Sequence, residues 1–368
     1  MLYSTCKLEC ASVQLFCIQN CQIYHNSFCV NVFIVKLIIE ENRIEGEQMK
    51  KLIQDKTHFL QDMLDGLKIT NPNIDVIADT VVVRQHKKTS GVALVSGGGS
   101  GHEPAHAGYV GEGMLDAAVC GEVFTSPTPD KVLEAIKAVD NGDGVLLIVK
   151  NYAGDVMNFE MAKDMAAMED IQVEMVVVGD DIAIDDVEKR RGVAGTVFVH
   201  KYAGYLSERG KKLTELKTEV EALIDQIRTI GMALTPPAVP TTGKYGFDIE
   251  ESEMEIGIGI HGERGLERVP VEPVEQIVQR LIEQLEAEVT SDELIVMVNG
   301  MGGTPLSELD IVTKYVALQL EQEGKTVKGW FVGDYMTSLD MQGFSLTFVP
   351  YDEHILSAFR APTTSRFF

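Results

Sequence analysis

The chain has 368 residues, 45% of them apolar and 24% charged, a composition that allows a sizeable buried core and suits about two globular domains. Its 32 Lys and Arg stand against 56 Asp and Glu, a formal charge of −24 that argues against binding nucleic acid or an anionic membrane surface. No apolar run reaches the ~18–20 residues of a spanning helix.

The first 48 residues differ from the rest of the chain. Cys6, Cys10, Cys17, Cys21 and Cys29 fall here, and only Cys120 lies beyond Met49. The segment has no proline, no glycine before Gly46 and no sustained helical or alternating period. Residues 28–39 are apolar but interrupted by Asn31 and Lys36, and the basic start and small-residue cleavage site of a secretory signal are missing. The pairs Cys6/Cys10 and Cys17/Cys21 lack the glycine and polar turn residues of a zinc knuckle. Glu45-Gly46-Glu47 needs purine-rich codons, which can spell a ribosome-binding site just before Met49. The expectation is that residues 1–48 are translated non-coding sequence. With its one cysteine, the remainder forms no internal disulfide and reads as a protein of a reducing compartment, the cytoplasm.

From Met49 the pattern is regular. Leu52, Ile53, Phe59, Leu60, Met63, Leu64 and Leu67 recur at helical spacing over 50–67. Thr80-Val81-Val82-Val83 is β-rich, and residues 91–95 predict a buried strand that runs into a glycine-rich loop over 96–102. A strand over 145–149 ends in Lys150-Asn151-Tyr152-Ala153-Gly154-Asp155 and leads to a Met-rich helix over 156–168. Another strand over 173–178 ends at Gly179-Asp180-Asp181. Strands alternating with helices predict a largely parallel α/β sheet with ligand sites beyond the carboxyl ends of its strands, where the loops 96–102 and 150–155 both lie. A helical stretch over 213–230 runs up to Pro236-Pro237-Ala238-Val239-Pro240, which reads as a domain boundary. Beyond it, residues 254–260 alternate, 292–298, 330–332 and 344–349 are strands and 305–323 is helical. The predicted organisation is an extension over 1–48, an N-terminal α/β domain over 49–230 and a C-terminal α+β domain over 231–368.

Three places carry candidate chemistry. The segment Ser96-Gly97-Gly98-Gly99-Ser100-Gly101-His102 can present backbone N–H groups to a polar ligand, with His102 as a base near neutral pH. It matches neither G-x-G-x-x-G nor G-x-x-x-x-G-K-[ST], which argues against a nucleotide-dependent oxidoreductase using this loop. Asp155 is either the N-cap of the following helix or a site carboxylate, and Lys150 either binds a polar group or ends its strand in solvent. In 254–261, strand periodicity puts Met254, Ile256, Ile258 and Ile260 on one face and Glu255, Gly257, Gly259 and His261 on the other. The two glycines clear space beside His261, as where a ligand or another backbone comes close.

The strings GVALVSGGGSGHEPAHAGYVGEGMLD (91–116), GEVFTSPTPDKVLEAIKAV (121–139), VLLIVKNYAGDVMNFEMA (145–162), EMEIGIGIHGE (253–263), NGMGGTPLSEL (299–309) and YMTSLDMQGFS (335–345) resemble the substrate-binding subunit of bacterial dihydroxyacetone kinase. The resemblance runs from Met49 nearly to the end. It implies two α/β domains, a homodimer, and covalent binding of dihydroxyacetone as a hemiaminal on His261 Nε2. It also implies that Gly99, Ser100, Gly101, His102, Lys150 and Asp155 surround the substrate hydroxyls, with His102 and Asp155 as the acid/base pair. A glycine-rich loop without a nucleotide motif implies, through the resemblance, the type in which ADP and Mg²⁺ reside on a separate kinase subunit, fed from phosphoenolpyruvate through phosphotransferase-system carriers, and no cofactor or metal here. The alternative is a non-catalytic paralogue that senses dihydroxyacetone for a transcription activator. One departure sits beside the site: the family's usual His-Gly-Glu-Pro-Gly is here His261-Gly262-Glu263-Arg264-Gly265.

Overall fold

The computed structural model describes residues 4–10, 13–19 and 50–368, and Met1–Lys50 and Lys51–Phe368 are two separate compact units. In the first unit the described residues are Lys50 and the antiparallel pair β1 (Ser4–Cys10) and β2 (Val13–Gln19). The expectation of a non-coding extension otherwise lies outside the described residues.

The second unit begins with α1 (Phe59–Thr70), not at residue 50. Asp55 sets the start: its carboxylate accepts the Thr57 N–H at 2.8 Å and caps a single 3-10 turn ahead of the helix. Then come β3 (Ile74–Ile77), β4 (Val81–Arg84), β5 (Ala93–Ser100), β6 (Ala117–Val123), α2 (Pro129–Val139), β7 (Val145–Lys150), α3 (Ala153–Ala167), β8 (Val173–Val178), α4 (Thr196–Ser207) and α5 (Leu213–Ile224). The strands form one sheet in the order β3-β4-β6-β5-β7-β8, parallel from β6 to β8 and antiparallel at the β3–β4 edge. Its buried strands are apolar on both faces because helices cover both. Val132, Ile136 and Phe159 of α2 and α3 pack on one side, and Leu64, Val197, Phe198 and Val220 of α1, α4 and α5 on the other. Helix α4 carries no polar stripe because almost every residue in it is buried, so it has no helical period to read.

A second sheet follows, from β9 (Arg228–Ala233), the short pair β10 (Ala238–Val239) and β11 (Lys244–Tyr245), β12 (Glu253–Ile256), β13 (Glu267–Pro270), α6 (Val274–Glu286), β14 (Glu293–Gly300), α7 (Leu306–Gln322), β15 (Thr326–Gly333), β16 (Gly343–Pro350) and α8 (Glu353–Arg360). The order β13-β12-β9-β16-β14-β15 is antiparallel except between β14 and β15, as an α+β unit requires. The expected domain boundary at residue 230 falls inside β9, a central strand of this sheet, and the proline-rich passage lies between two of its strands. The helical pattern read over 213–230 stops at Ile224 because Ile230, Met232 and Ala233 are buried as a strand. Among the described residues no helix is long and apolar enough to cross a membrane.

The alternation over 254–260 is not one strand. Strand β12 ends at Ile256, and Gly257 takes a φ of +75°, which turns the chain. Met254 and Ile256 enter the core of the second sheet, Ile258 packs with Met301 and Met341, and Ile260 reaches the core shared with the first sheet. Arg191, paired with Asp181 at 2.6 Å, pins this turn by donating to the Gly257 carbonyl at 2.9 Å. Gly257→Ala should cost about 1–3 kcal/mol, since a Cβ there meets Ala183 Cβ and Leu266 Cγ at 2.9 Å and the backbone is left-handed. Urea melts of the variant check this; wild-type stability would show that the turn tolerates a side chain.

Candidate active site

The site forms where the two sheets meet. The chain leaves β5 for β6 on one side and leaves β7 for β8 on the other, so their carboxyl ends part at a topological switch point. The glycines expected in a loop are largely strand: β6 pairs with β5 out to Ser100, while β7 pairs with it only as far as Ser96. Residues 97–100 thus keep one edge free of β7, and Lys150 uses it, its Nζ lying 3.4 Å from the Gly97 carbonyl. Gly98 makes this possible. A Cβ there would run into Lys150 Nζ and come within 3.4 Å of Asp155 Oδ2.

His102 follows this strand and is fully buried. A seam of backbone bonds fixes it to the second sheet: Thr337 N–H donates to His102 O at 3.2 Å and Leu339 N–H to Gly101 O at 2.7 Å. His102 Nδ1 lies 2.8 Å from the Thr337 carbonyl, which only accepts, so Nδ1 carries the hydrogen and Nε2 is the free lone pair. That Nε2 faces His261 Nε2 at 3.0 Å. His261 is held from the other end, with Nδ1 2.7 Å from Glu263 Oε1 and its backbone N–H 2.9 Å from Oε2. A carboxylate also only accepts, so each ring presents its Nε2 to the other. Phe124 and Tyr152 stand edge-on to the His261 ring at 5.2 and 4.6 Å.

Burial first, then the charges of His261 and Lys150, hold His102 well below the ordinary histidine range, so it stays neutral at physiological pH. Burial alone would raise Glu263, but the hydrogen bond and charge of His261 outweigh it and bring the carboxyl down to about 2. Tyr152 is pushed well up by burial and by Glu263, and its hydroxyl has no hydrogen-bond partner among the described residues. Lys150 is lowered by burial, against the opposing charge of Asp155 at 3.7 Å.

The structure brings His261, His102, Lys150, Asp155 and Gly99 to one place but changes the reading of several. Helix α3 starts at Ala153, so Asp155 lies inside its first turn and makes no cap hydrogen bond. It is buried, and its Oδ1 has no partner among the described residues, a carboxylate oxygen free for a ligand. Ser100 turns its hydroxyl to the Gly121 carbonyl at 2.7 Å, and Gly101 gives its N–H to the Glu103 carboxylate at 3.0 Å, so both polar groups are already used. Gly259 clears space, as expected beside His261, but for Glu263 and Arg191: a Cβ there would strike the Glu263 carboxylate and lie 2.8 Å from Arg191 Nη1. Lys150 ends its strand fully buried, not in solvent.

Sequence reasoning missed Glu263, Tyr152, Phe124, Thr337 and the buried pair His106 and His200. Glu263 had a local signal, a carboxylate two residues after the candidate histidine. The others come from separate segments that only the fold assembles. Among the described residues no cluster of three or more His, Cys, Asp or Glu could hold a metal ion. Cys120 is buried, its thiol pushed up to about 12 by burial and then by Glu103, so it is unreactive.

A family model, the Dak1 domain, matches residues 65–367. The chain belongs to the Dak1 domain family. Over 313 residues it is 50% identical to the dihydroxyacetone-binding subunit DhaK of PTS-dependent dihydroxyacetone kinase 1 of Listeria innocua, covering 83% of this chain and 95% of that one. It is 41% identical to the corresponding subunit of the PEP-dependent dihydroxyacetone kinase of Escherichia coli, covering 85% of this chain and 97% of that one. Among solved structures, the dihydroxyacetone kinase operon co-activator Dha-DhaQ superposes with a TM-score of 0.80 at 38% identity, over 83% of this chain and 97% of that one. The dihydroxyacetone kinase of C. freundii gives 0.81 at 38% identity; this chain spans 60% of its length.

The Glu263 carboxyl lies below its ordinary 4.5, so its contribution to stability is present above about pH 4.5 and is lost as pH falls toward about 2. Glu263→Gln should therefore melt below wild type at pH 6, and the two curves should converge only as pH falls to about 2. A gap that stays constant across this range would show that the Glu263–His261 pair does not form in solution.

Proposed function

We propose that this chain is the dihydroxyacetone-binding subunit of a phosphoenolpyruvate-dependent dihydroxyacetone (glycerone) kinase. The observation that carries the reading is an imidazole Nε2 that is open for bonding, with its ring fixed by Glu263 and a second imidazole 3.0 Å away. Imidazole is a competent nucleophile near neutral pH, and a ketone is the electrophile that reacts with it reversibly. Family membership and the Listeria and Escherichia relatives, both dihydroxyacetone-binding subunits by name, supply the substrate.

In this reading His102 carries a proton from solvent into the site as dihydroxyacetone enters. The His261 Nε2 lone pair forms a bond to the ketone carbon, and the C=O electron pair moves onto oxygen. That oxygen takes the proton from His102, which returns to neutral, and becomes the hemiaminal hydroxyl. The alkylated ring is now cationic, and the Glu263 carboxylate at Nδ1 balances it. Glycerol has no carbonyl and is excluded by bond formation, not by shape. The adduct places a terminal hydroxyl against Lys150, Asp155 and the neutral Nε2 of His102, where either base can take its proton.

The phosphoryl group comes from a separate subunit that carries ADP and Mg²⁺ and is recharged from phosphoenolpyruvate through phosphotransferase-system carriers. The reading asks no metal ligand of this chain and has it act in the cytoplasm as a homodimer. The acidic surface of the chain suits protein partners. A second reading has support from the co-activator neighbour: a non-catalytic dihydroxyacetone sensor. Such a sensor needs His261 but not the acid/base pair, and both His102 and Asp155 are present here.

His261→Ala should abolish the dihydroxyacetone adduct, read by native mass spectrometry, in a protein that still folds but melts below wild type at pH 6 because Glu263 loses its partner; a persistent adduct would move the nucleophile elsewhere. Asp155→Asn should keep the adduct but slow single-turnover phosphoryl transfer from the charged nucleotide subunit by ~10²–10⁴. Near-normal transfer at full occupancy would leave His102 as the base. Wild-type protein that forms the adduct but transfers nothing would favour the sensor.

A further inference from the structure

Behind Lys150 lies a second pair of histidines that the proposed chemistry does not use. Lys150 Nζ is 2.8 Å from His106 Nε2, and His106 Nδ1 is 2.9 Å from His200 Nε2. His106 comes from the segment after β5 and His200 from the buried helix α4, and all three side chains are out of solvent. An ammonium has three donors and no acceptor, so His106 Nε2 must accept and the His106 hydrogen sits on Nδ1. A second contact agrees with this direction. Ser96 Oγ gives its own hydrogen to the Ile148 carbonyl at 2.6 Å, which leaves it a lone pair for His106 Nδ1 at 3.4 Å. His200 Nε2 is then an acceptor, and its hydrogen is on Nδ1, which has no partner among the described residues. The chain of donors runs one way, from Lys150 through His106 to His200.

Both imidazoles are suited to accept. Burial, followed by the charges of Lys150, His200 and His102, holds His106 well below the ordinary range, and burial with Lys150 pushes His200 down to about 3. The ionisable groups facing the ammonium are Asp155 from α3, His106 and His102 from the segment after β5, and His200 from α4. Asp155 at 3.7 Å is beyond hydrogen-bond reach, and Gly97 O at 3.4 Å is a long contact. His106 is therefore the only short acceptor the lysine has among the described residues.

We propose that His106 and His200 are positioning residues that act through Lys150, an oriented imidazole chain that holds the buried ammonium as a fixed donor toward Asp155 and the substrate hydroxyls. The identity of those hydroxyls rests on the reading above; the chain itself does not.

The test therefore uses ligand-free protein. Titration of Lys150 can be followed through its Cε resonance in ¹³C-lysine-labelled protein and assigned by its loss in Lys150→Arg. His106→Leu removes the acceptor from a charged donor and should lower the lysine midpoint by about one unit or more. His106→Gln, whose amide oxygen can accept, should recover most of that shift, and His200→Leu should lower the midpoint by less than His106→Leu. The alkaline limb of dihydroxyacetone binding should move in the same order. Unchanged lysine midpoints in His106→Leu and His200→Leu would overturn the proposal. Should His106→Leu fail to fold, equal midpoints in wild type and His200→Leu would overturn it as well. The predicted lysine shifts in the variants, together with a wild-type protein that forms no dihydroxyacetone adduct, would sink the substrate reading and leave the chain standing.

Discussion

The 3.0 Å contact between His102 Nε2 and His261 Nε2 is the constraint on which the rest of the site depends. The two rings belong to different sheets, and neither is held there by its own strand. His102 is fastened by the seam that joins residues 101–103 to 337–339, and His261 by the turn at Gly257 and the carboxylate of Glu263. Both anchors are acceptors at Nδ1, so both rings show the same free nitrogen to the space between them. Had either anchor been a donor, the ring would present an N–H there and could not attack or accept.

Burial supplies the second half of the design. A solvated histidine is partly protonated near neutral pH, and a solvated lysine is fully so. In this interior the balance shifts: His102, His106 and His200 are held neutral, and the positive charge is concentrated on Lys150 beside Asp155. A neutral base next to a fixed cation is what deprotonation of a substrate hydroxyl needs. It comes at a cost in stability, because Asp155 Oδ1, Tyr152 Oη and His200 Nδ1 are all buried without partners among the described residues. Of these, the Asp155 oxygen beside Lys150 and the Tyr152 hydroxyl on the ring beside His261 lie at the site, where a ligand can meet them.

Much of the architecture was legible in the sequence, because strand–helix alternation with apolar strands has few physical solutions. The strand at Val173–Val178 and the parallel character of the first sheet follow from pattern alone. Helix α4 did not, since a helix buried all round has no polar face to betray its period. The turn at Gly257 was hidden by perfect alternation: Met254, Ile256, Ile258 and Ile260 are all buried, but in three different places. For the site, local strings pointed to His102, His261, Lys150 and Asp155, which the fold brings together. Their partners were not visible because Thr337, Phe124, His106 and His200 are joined to them only by tertiary contacts, and no local spacing encodes those. Asp155 shows the limit of local rules. It looked like a cap because it follows Gly154, yet the helix begins before it and leaves its carboxylate for other work.

The central claim is that His261 is presented as a preformed nucleophile with its hydrogen on Nδ1. ¹⁵N NMR of histidine-labelled protein tests this most directly, with spectra taken before and after addition of dihydroxyacetone and His261 assigned by its loss in His261→Ala. The account predicts a protonated Nδ1 on His261 throughout. It also predicts that the Nε2 resonance moves to the position of a substituted, bonded nitrogen when ligand is added, while His102 stays neutral. A His261 ring with its hydrogen fixed on Nε2, or an Nε2 resonance unmoved at saturating dihydroxyacetone, would contradict it.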